Sequence, residues 1–72
     1  MTRMEYERLR NKAYILSAER QEKMIANGWR LICLSFNRDE SDIVKLNNYN
    51  NVKIYKGTTA VRGMYNYFAM VK

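Results

Sequence analysis

The chain has 72 residues, a formal net charge of +6, a single cysteine (Cys33) and no histidine. One cysteine excludes an internal disulfide, and a structural zinc site needs several Cys or His ligands. The expectation is one small domain held by packing, burying only about 60% of the surface its unfolded chain exposes, with homodimerisation as a further source of stability.

No apolar run approaches the roughly 20 residues of a membrane helix. The opening "MTRMEYERLRNK" is charged and is not followed by the apolar region of a signal peptide. A lone cysteine in an apolar stretch suits a reducing interior, so the expected location is the cytoplasm, without a membrane partner. All seven acids (Glu5, Glu7, Glu19, Glu22, Asp39, Glu40, Asp42) lie at or before residue 42. Beyond them, Lys45, Lys53, Lys56, Arg62 and Lys72 are the only charged side chains, so the C-terminal part presents one sign. That distribution is an electrostatic footprint for an anionic partner.

Residues 3–27 are rich in helix-forming Glu, Arg, Lys, Met, Leu and Ala, and Gly28 supplies the stop. Leu9, Ala13 and Leu16 fall on one helical stripe, continued by Met24 and Ile25. An unbroken helix there would be about 36 Å long, whereas a domain of this size has a radius of gyration of about 11 Å. Such a helix either pairs with a second copy or kinks near Ser17, a candidate N-cap for "AERQEKMIAN". In the kinked case "AYIL" can form a short strand; a mostly helical segment is the expectation.

"WRLICLSFN" (29–37) reads as a strand with Leu31 and Cys33 on one face and Ile32, Leu34 and Phe36 on the other. Apolar character on both faces predicts a central strand, with Cys33 as a small buried hydrophobe. A helix follows over 38–50, with Asn37 as N-cap and Glu40 at the capping-box position. Asp39 and Asp42 suit its N-terminus, and Ile43, Leu46 and Tyr49 form its buried stripe. Residues 52–57 alternate as a half-buried strand, with Val52, Ile54 and Lys56 opposite Lys53 and Tyr55. A loop over 58–63 leads to a strand over 64–71, with Tyr65, Tyr67, Ala69 and Val71 opposite Met64, Asn66, Phe68 and Met70. The predicted class is α+β: a long N-terminal helix, then β-α-β-β, with helices packed on a three-stranded sheet. The first two strands are expected as a right-handed parallel pair and the last two as an antiparallel hairpin.

Catalysis is poorly supported. Without histidine, acid–base work at neutral pH falls to retuned carboxylates or lysines, and a thiol in an apolar strand is inert. "DESD" (39–42) resembles a two-carboxylate magnesium site only in composition, and helix capping accounts for it. No cofactor is expected. Phosphate contact is better supported, because it needs cations, hydroxyls and free backbone N–H groups. The stretch "YKGTTAVRGMYNY" supplies Lys56, Thr58, Thr59 and Arg62 in a glycine-bearing loop. Lys53 precedes it, and Tyr55, Tyr65 and Tyr67 flank it as rings able to stack on unpaired bases. These eight residues are the candidate contact set for nucleic acid or a nucleoprotein.

The same hairpin composition, with an arginine and several tyrosines, also suits a protein interface. The Asn, Lys, Tyr and Ile bias points to AT-rich coding. In size and composition the chain resembles the small phage-encoded inhibitors and regulators that bind host machinery, anti-CRISPR proteins included. That resemblance implies a host protein or nucleoprotein as partner. It carries no motif and assigns no residue, and the basic charge departs from the acidic nucleic-acid mimics common among such inhibitors. A third expectation is a structural subunit that dimerises through the N-terminal helix.

Overall fold

In the computed structural model, which describes residues 1–72, the N-terminal helical segment is broken in two. Helix α1 spans Arg3–Asn11, capped by Thr2, whose side chain accepts from the Glu5 N–H at 3.2 Å. Strand β1 follows at Tyr14–Ile15, and α2 spans Ala18–Ala26. Ser17 is the N-cap of α2, accepting from the Arg20 N–H at 3.3 Å. The expectation of one mostly continuous helix over 3–27 is therefore corrected, and the kinked alternative near Ser17 is the one realised. Helix propensities differ by only tenths of a kcal/mol per residue, too little to hold a helix together against the burial gained by breaking it. Leu9 and Ala13 pack into one core cluster and Leu16 into another, so the predicted stripe divides between two sites.

Helix α2 ends where Gly28 was expected to stop it. Gly28 adopts φ +96°, and the Trp29 N–H reaches back to the Met24 carbonyl at 3.0 Å. This is a Schellman closure, accompanied by packing of Met24 and Trp29 against the same cluster.

The remaining elements are β2 (Arg30–Cys33), α3 (Glu40–Leu46), β3 (Val52–Thr58) and β4 (Tyr65–Val71). The sheet has four strands, in the order β1-β3-β4-β2, not three. β1 pairs parallel with β3, while β4 runs antiparallel to both β3 and β2. β2 and β3 thus point the same way, but β4 lies between them; the expected direct parallel pair is replaced by β1 with β3. The crossover carrying α2 goes from β1 to β2, and the one carrying α3 returns from β2 to β3. Because they travel in opposite directions over opposite faces, both crossovers have the same hand.

The central strand is β4, not β2. Phe68, Ala69, Met70 and Val71 are consecutive buried residues, the pattern of a strand covered on both sides. Ala69 and Val71 join Tyr6, Ala13, Leu46 and Ile54 on the first face, beneath α1 and α3. Phe68 and Met70 join Leu16, with Met24 and Trp29 of the α2 side, on the second. β2 is an edge strand of four residues, shorter than the span 29–37, and Cys33 on it is exposed rather than buried. Its residue Ile32, and Leu34 just beyond it, reach the first core, as the alternation required, while Leu31 remains 40% exposed. Apolar side chains on both faces of a strand do not by themselves place it centrally.

Helix α3 starts later than expected, with Asp39 as N-cap and no side-chain cap bond, so the Asn37–Glu40 box does not form. Asp42 has turned inward instead. It is 2% exposed, and its Oδ2 accepts from the Tyr6 hydroxyl (2.9 Å), the Ser35 N–H (3.0 Å) and the Ser35 hydroxyl (2.8 Å). Arg10 Nη1 donates to the Tyr6 oxygen (3.1 Å) and to the Ser35 carbonyl (3.2 Å). This network ties α1, α3 and the end of β2 together over the first face. With a radius of gyration of 11.8 Å and extents of 29 × 29 × 17 Å, no helix overhangs the domain. The geometric reason for pairing through an N-terminal helix therefore does not arise. No helix is long and apolar enough to cross a membrane.

Burial raises the Tyr6 pKa above its ordinary value; the Arg10 hydrogen bond opposes this, and the Asp42 hydrogen bond adds to it. Tyr6 thus keeps its proton to higher pH in the fold than in the unfolded chain, so its contribution is full below pH about 10 and is lost as pH rises beyond that. Tyr6→Phe should cost about 1–3 kcal/mol at neutral pH by urea unfolding, because Asp42 and Arg10 each lose a partner. The same variant should show a smaller loss of stability between neutral and alkaline pH than the parent. Ser17→Ala should cost about 1 kcal/mol, read the same way.

Candidate nucleic-acid interface

The eight sequence-predicted contact residues lie on the β3–β4 hairpin and its closing loop. The hairpin reaches beyond the rest of the sheet. On one side, the last β1-side bond is from the Leu16 N–H to the Lys56 carbonyl at 3.0 Å, after which Gly57 and Thr58 pair only with β4. On the other, the last β2-side bond is from the Leu34 N–H to the Tyr67 carbonyl at 3.2 Å. The sheet there narrows to a two-stranded arm closed by residues 59–64.

Pleating divides the predicted set. Lys56, Thr58, Tyr65 and Tyr67 share the first face, with Lys56 directly opposite Tyr67 and Thr58 opposite Tyr65. Lys56 Nζ sits 4.4 Å from the centre of the Tyr65 ring. Lys53 and Tyr55 are on the second face, where Tyr55 is half-buried against Phe68 with ring centres 6.2 Å apart. Lys53 Nζ lies 5.3 Å from the centre of the Trp29 ring, which also receives Lys72 at 5.6 Å. Lys53 and Tyr55 therefore do not join the other aromatic and cationic residues of the arm.

Arg62 is exposed in the closing loop. Thr59 organises that loop from within. Its Oγ1 accepts from the Val61 N–H (3.2 Å) and lies within donating distance of the Val61 and Met64 carbonyls (3.0 and 3.1 Å). Gly63 adopts φ +85° in a position where an added Cβ meets nothing within 4 Å. Its requirement is conformational, since L side chains avoid that region.

Sequence reasoning missed Arg10. Its guanidinium lies 4.3 Å from the centre of the Tyr67 ring and 5.7 Å from that of Tyr6. The Tyr6–Arg10 spacing of four residues marks one helical face, but nothing in the sequence connects that face to Tyr67. The first face of the arm consequently presents a row of Arg10, Tyr67, Lys56 and Tyr65, in which each ring has a cation over it. Such contacts contribute about 0.5–1 kcal/mol where exposed, and they hold the cations in place above the strands.

Comparison with protein-family models gives no match, and neither curated proteins nor solved structures match the chain.

Gly63→Ala should destabilise the loop by about 1 kcal/mol through its backbone alone. Hydrogen exchange should show faster exchange at Val61 and Met64, with the amides of β2 unchanged.

Proposed function

We propose that the protein is a non-enzymatic binding module that contacts single-stranded nucleic acid through the first face of its projecting hairpin. The observation that carries this is the row Arg10–Tyr67–Lys56–Tyr65 on an arm whose own residues include no acid, with Arg62 at the tip. Backbone phosphates take Lys56, Arg62 and the free N–H groups of the loop, and bases stack on the tyrosine rings. Lys56 and the tyrosines are half-buried, so a bound strand displaces the lysine from Tyr65 more readily than it moves Arg10, which the core fixes. The chemistry is sequence-tolerant, because phosphates and base faces are common to all nucleotides.

The expected affinity is micromolar or weaker at physiological salt and falls steeply as salt rises. A fluorescence-anisotropy salt titration with single-stranded and duplex oligonucleotides measures it. Removing both cations in Lys56→Ala/Arg62→Ala should lower affinity for every sequence alike and flatten the log–log salt slope by about 0.7 per lost phosphate contact. Normal binding by this double variant, or no binding at low salt, would sink the proposal. The protein-partner alternative then takes its place, favoured by β1, a two-residue edge strand on which Tyr14 and Ile15 are 78% and 51% exposed. In that case Ile15→Lys should abolish capture of a partner from nuclease-treated lysate.

A further inference from the structure

Beside β4, where β2 has already ended, lies a cleft of about 580 Å³. Its walls are of three kinds. Leu31, Phe36 and Phe68 are apolar, and the Phe36 side chain is 85% exposed. Asn66 brings an exposed primary amide that can both donate and accept. Arg10 and Arg38 bring two guanidinium groups, and no carboxylate lines the cleft.

Arg10 is the unusual member. It is only 6% exposed, its hydrogen bonds leave from Nη1 alone, and its Nε is buried without a partner. No carboxylate forms an ion pair with it; the nearest compensation is Asp42, reached through the Tyr6 hydroxyl. Buried charges are ordinarily paired and buried donors satisfied, so a guanidinium in the wall of a cleft that bonds through Nη1 alone and has no carboxylate against it retains donor capacity for an anion. Phe36, beside Leu31, offers an exposed ring on which a flat apolar group can pack.

We propose that this cleft binds one unpaired nucleotide, with its base against Phe36 and Leu31 and its phosphate between Arg10 and Arg38. The choice of ligand class rests on the nucleic-acid function proposed above; the cleft shares Arg10, Tyr65 and Tyr67 with the row on the hairpin and is separate only from the loop at its tip. A nucleotide is the ligand that uses all three kinds of wall. Base faces stack on aromatic rings, amides such as that of Asn66 pair with base edges, and guanidinium forks match phosphate oxygens. The Tyr67 ring, whose centre lies 4.3 Å from the guanidinium, and the two bonds from Nη1 hold Arg10 in place before any ligand arrives. The nucleotide is either free or part of a strand whose neighbouring phosphates run onto the hairpin.

The test is a chemical-shift titration of the isotope-labelled full chain with UMP, AMP, uridine, inorganic phosphate, an aspartate-rich peptide and a short oligouridylate. UMP and AMP should move the amides of Leu31, Phe36, Arg38 and Asn66 at millimolar concentration, with uridine and inorganic phosphate each about tenfold weaker. Phe36→Ala and Arg38→Ala remove exposed side chains and should leave the fold intact while weakening UMP binding several-fold. A free nucleotide is the ligand if UMP binds as tightly as the oligouridylate, and a strand is the ligand if the oligouridylate binds tighter at the same amides. The proposal is overturned if no nucleotide moves the cleft amides, if both variants bind as the parent does, or if the peptide binds there more tightly than UMP. Oligouridylate shifts confined to residues 58–63 would overturn the cleft and leave the hairpin function standing. Cleft binding that survives together with normal oligonucleotide binding by Lys56→Ala/Arg62→Ala would do the reverse.

Discussion

The buried carboxylate of Asp42 organises this small domain. Its Oδ2 gathers the Tyr6 hydroxyl and both donors of Ser35, and the Tyr6 oxygen in turn takes a bond from Arg10. Those four residues come from α1, α3 and the segment after β2, three parts of the chain that have no backbone ladder in common. A polar network in a low-dielectric interior is costly when half-made and rigid when satisfied. It therefore fixes how α1 lies across the sheet, and with it where the Arg10 guanidinium is presented.

That placement links core to surface. Arg10 belongs to the network through Nη1 and to the candidate interface through its stacking on Tyr67. Lys56, opposite Tyr67 on β3, extends the row to Tyr65. A cation that is part of the core cannot move away as a surface lysine can, so the row has one fixed end and one adaptable end. The arm itself gains definition from Thr59, which closes the loop on its own carbonyls, and from the left-handed turn at Gly63.

The covering of β4 explains the departures from sequence expectation. Breaking the N-terminal helix lets α1 and α2 cover opposite faces of the sheet, so that β4 is buried on both sides. Tyr14 and Ile15, β-formers in the middle of a helix-rich segment, then add a strand beside β3. β2 is displaced to the other edge, where Cys33 and Leu31 face the cleft and not a layer of helix. The faces assigned to β3 and β4 by alternation are those observed, because a period of two leaves no freedom once the strand exists.

The sequence by itself determined the α+β class, the stop at Gly28, the two faces of the β3–β4 hairpin and the confinement of every acid to the first 42 residues. Each follows from local chemistry: backbone conformation, pleat and charge order along the chain. Only the tertiary structure decided which strand is central, that Asp42 serves the core and not a helix cap, and that Arg10 meets Tyr67 from a distant part of the chain. It also separated Lys53 and Tyr55 from Lys56, Tyr65 and Tyr67, because adjacent residues of a strand point to opposite sides of the sheet. The physical reason is common to all of these. Strand order and buried polar pairing are settled by contacts between distant segments, whose balance of burial and desolvation no local pattern records.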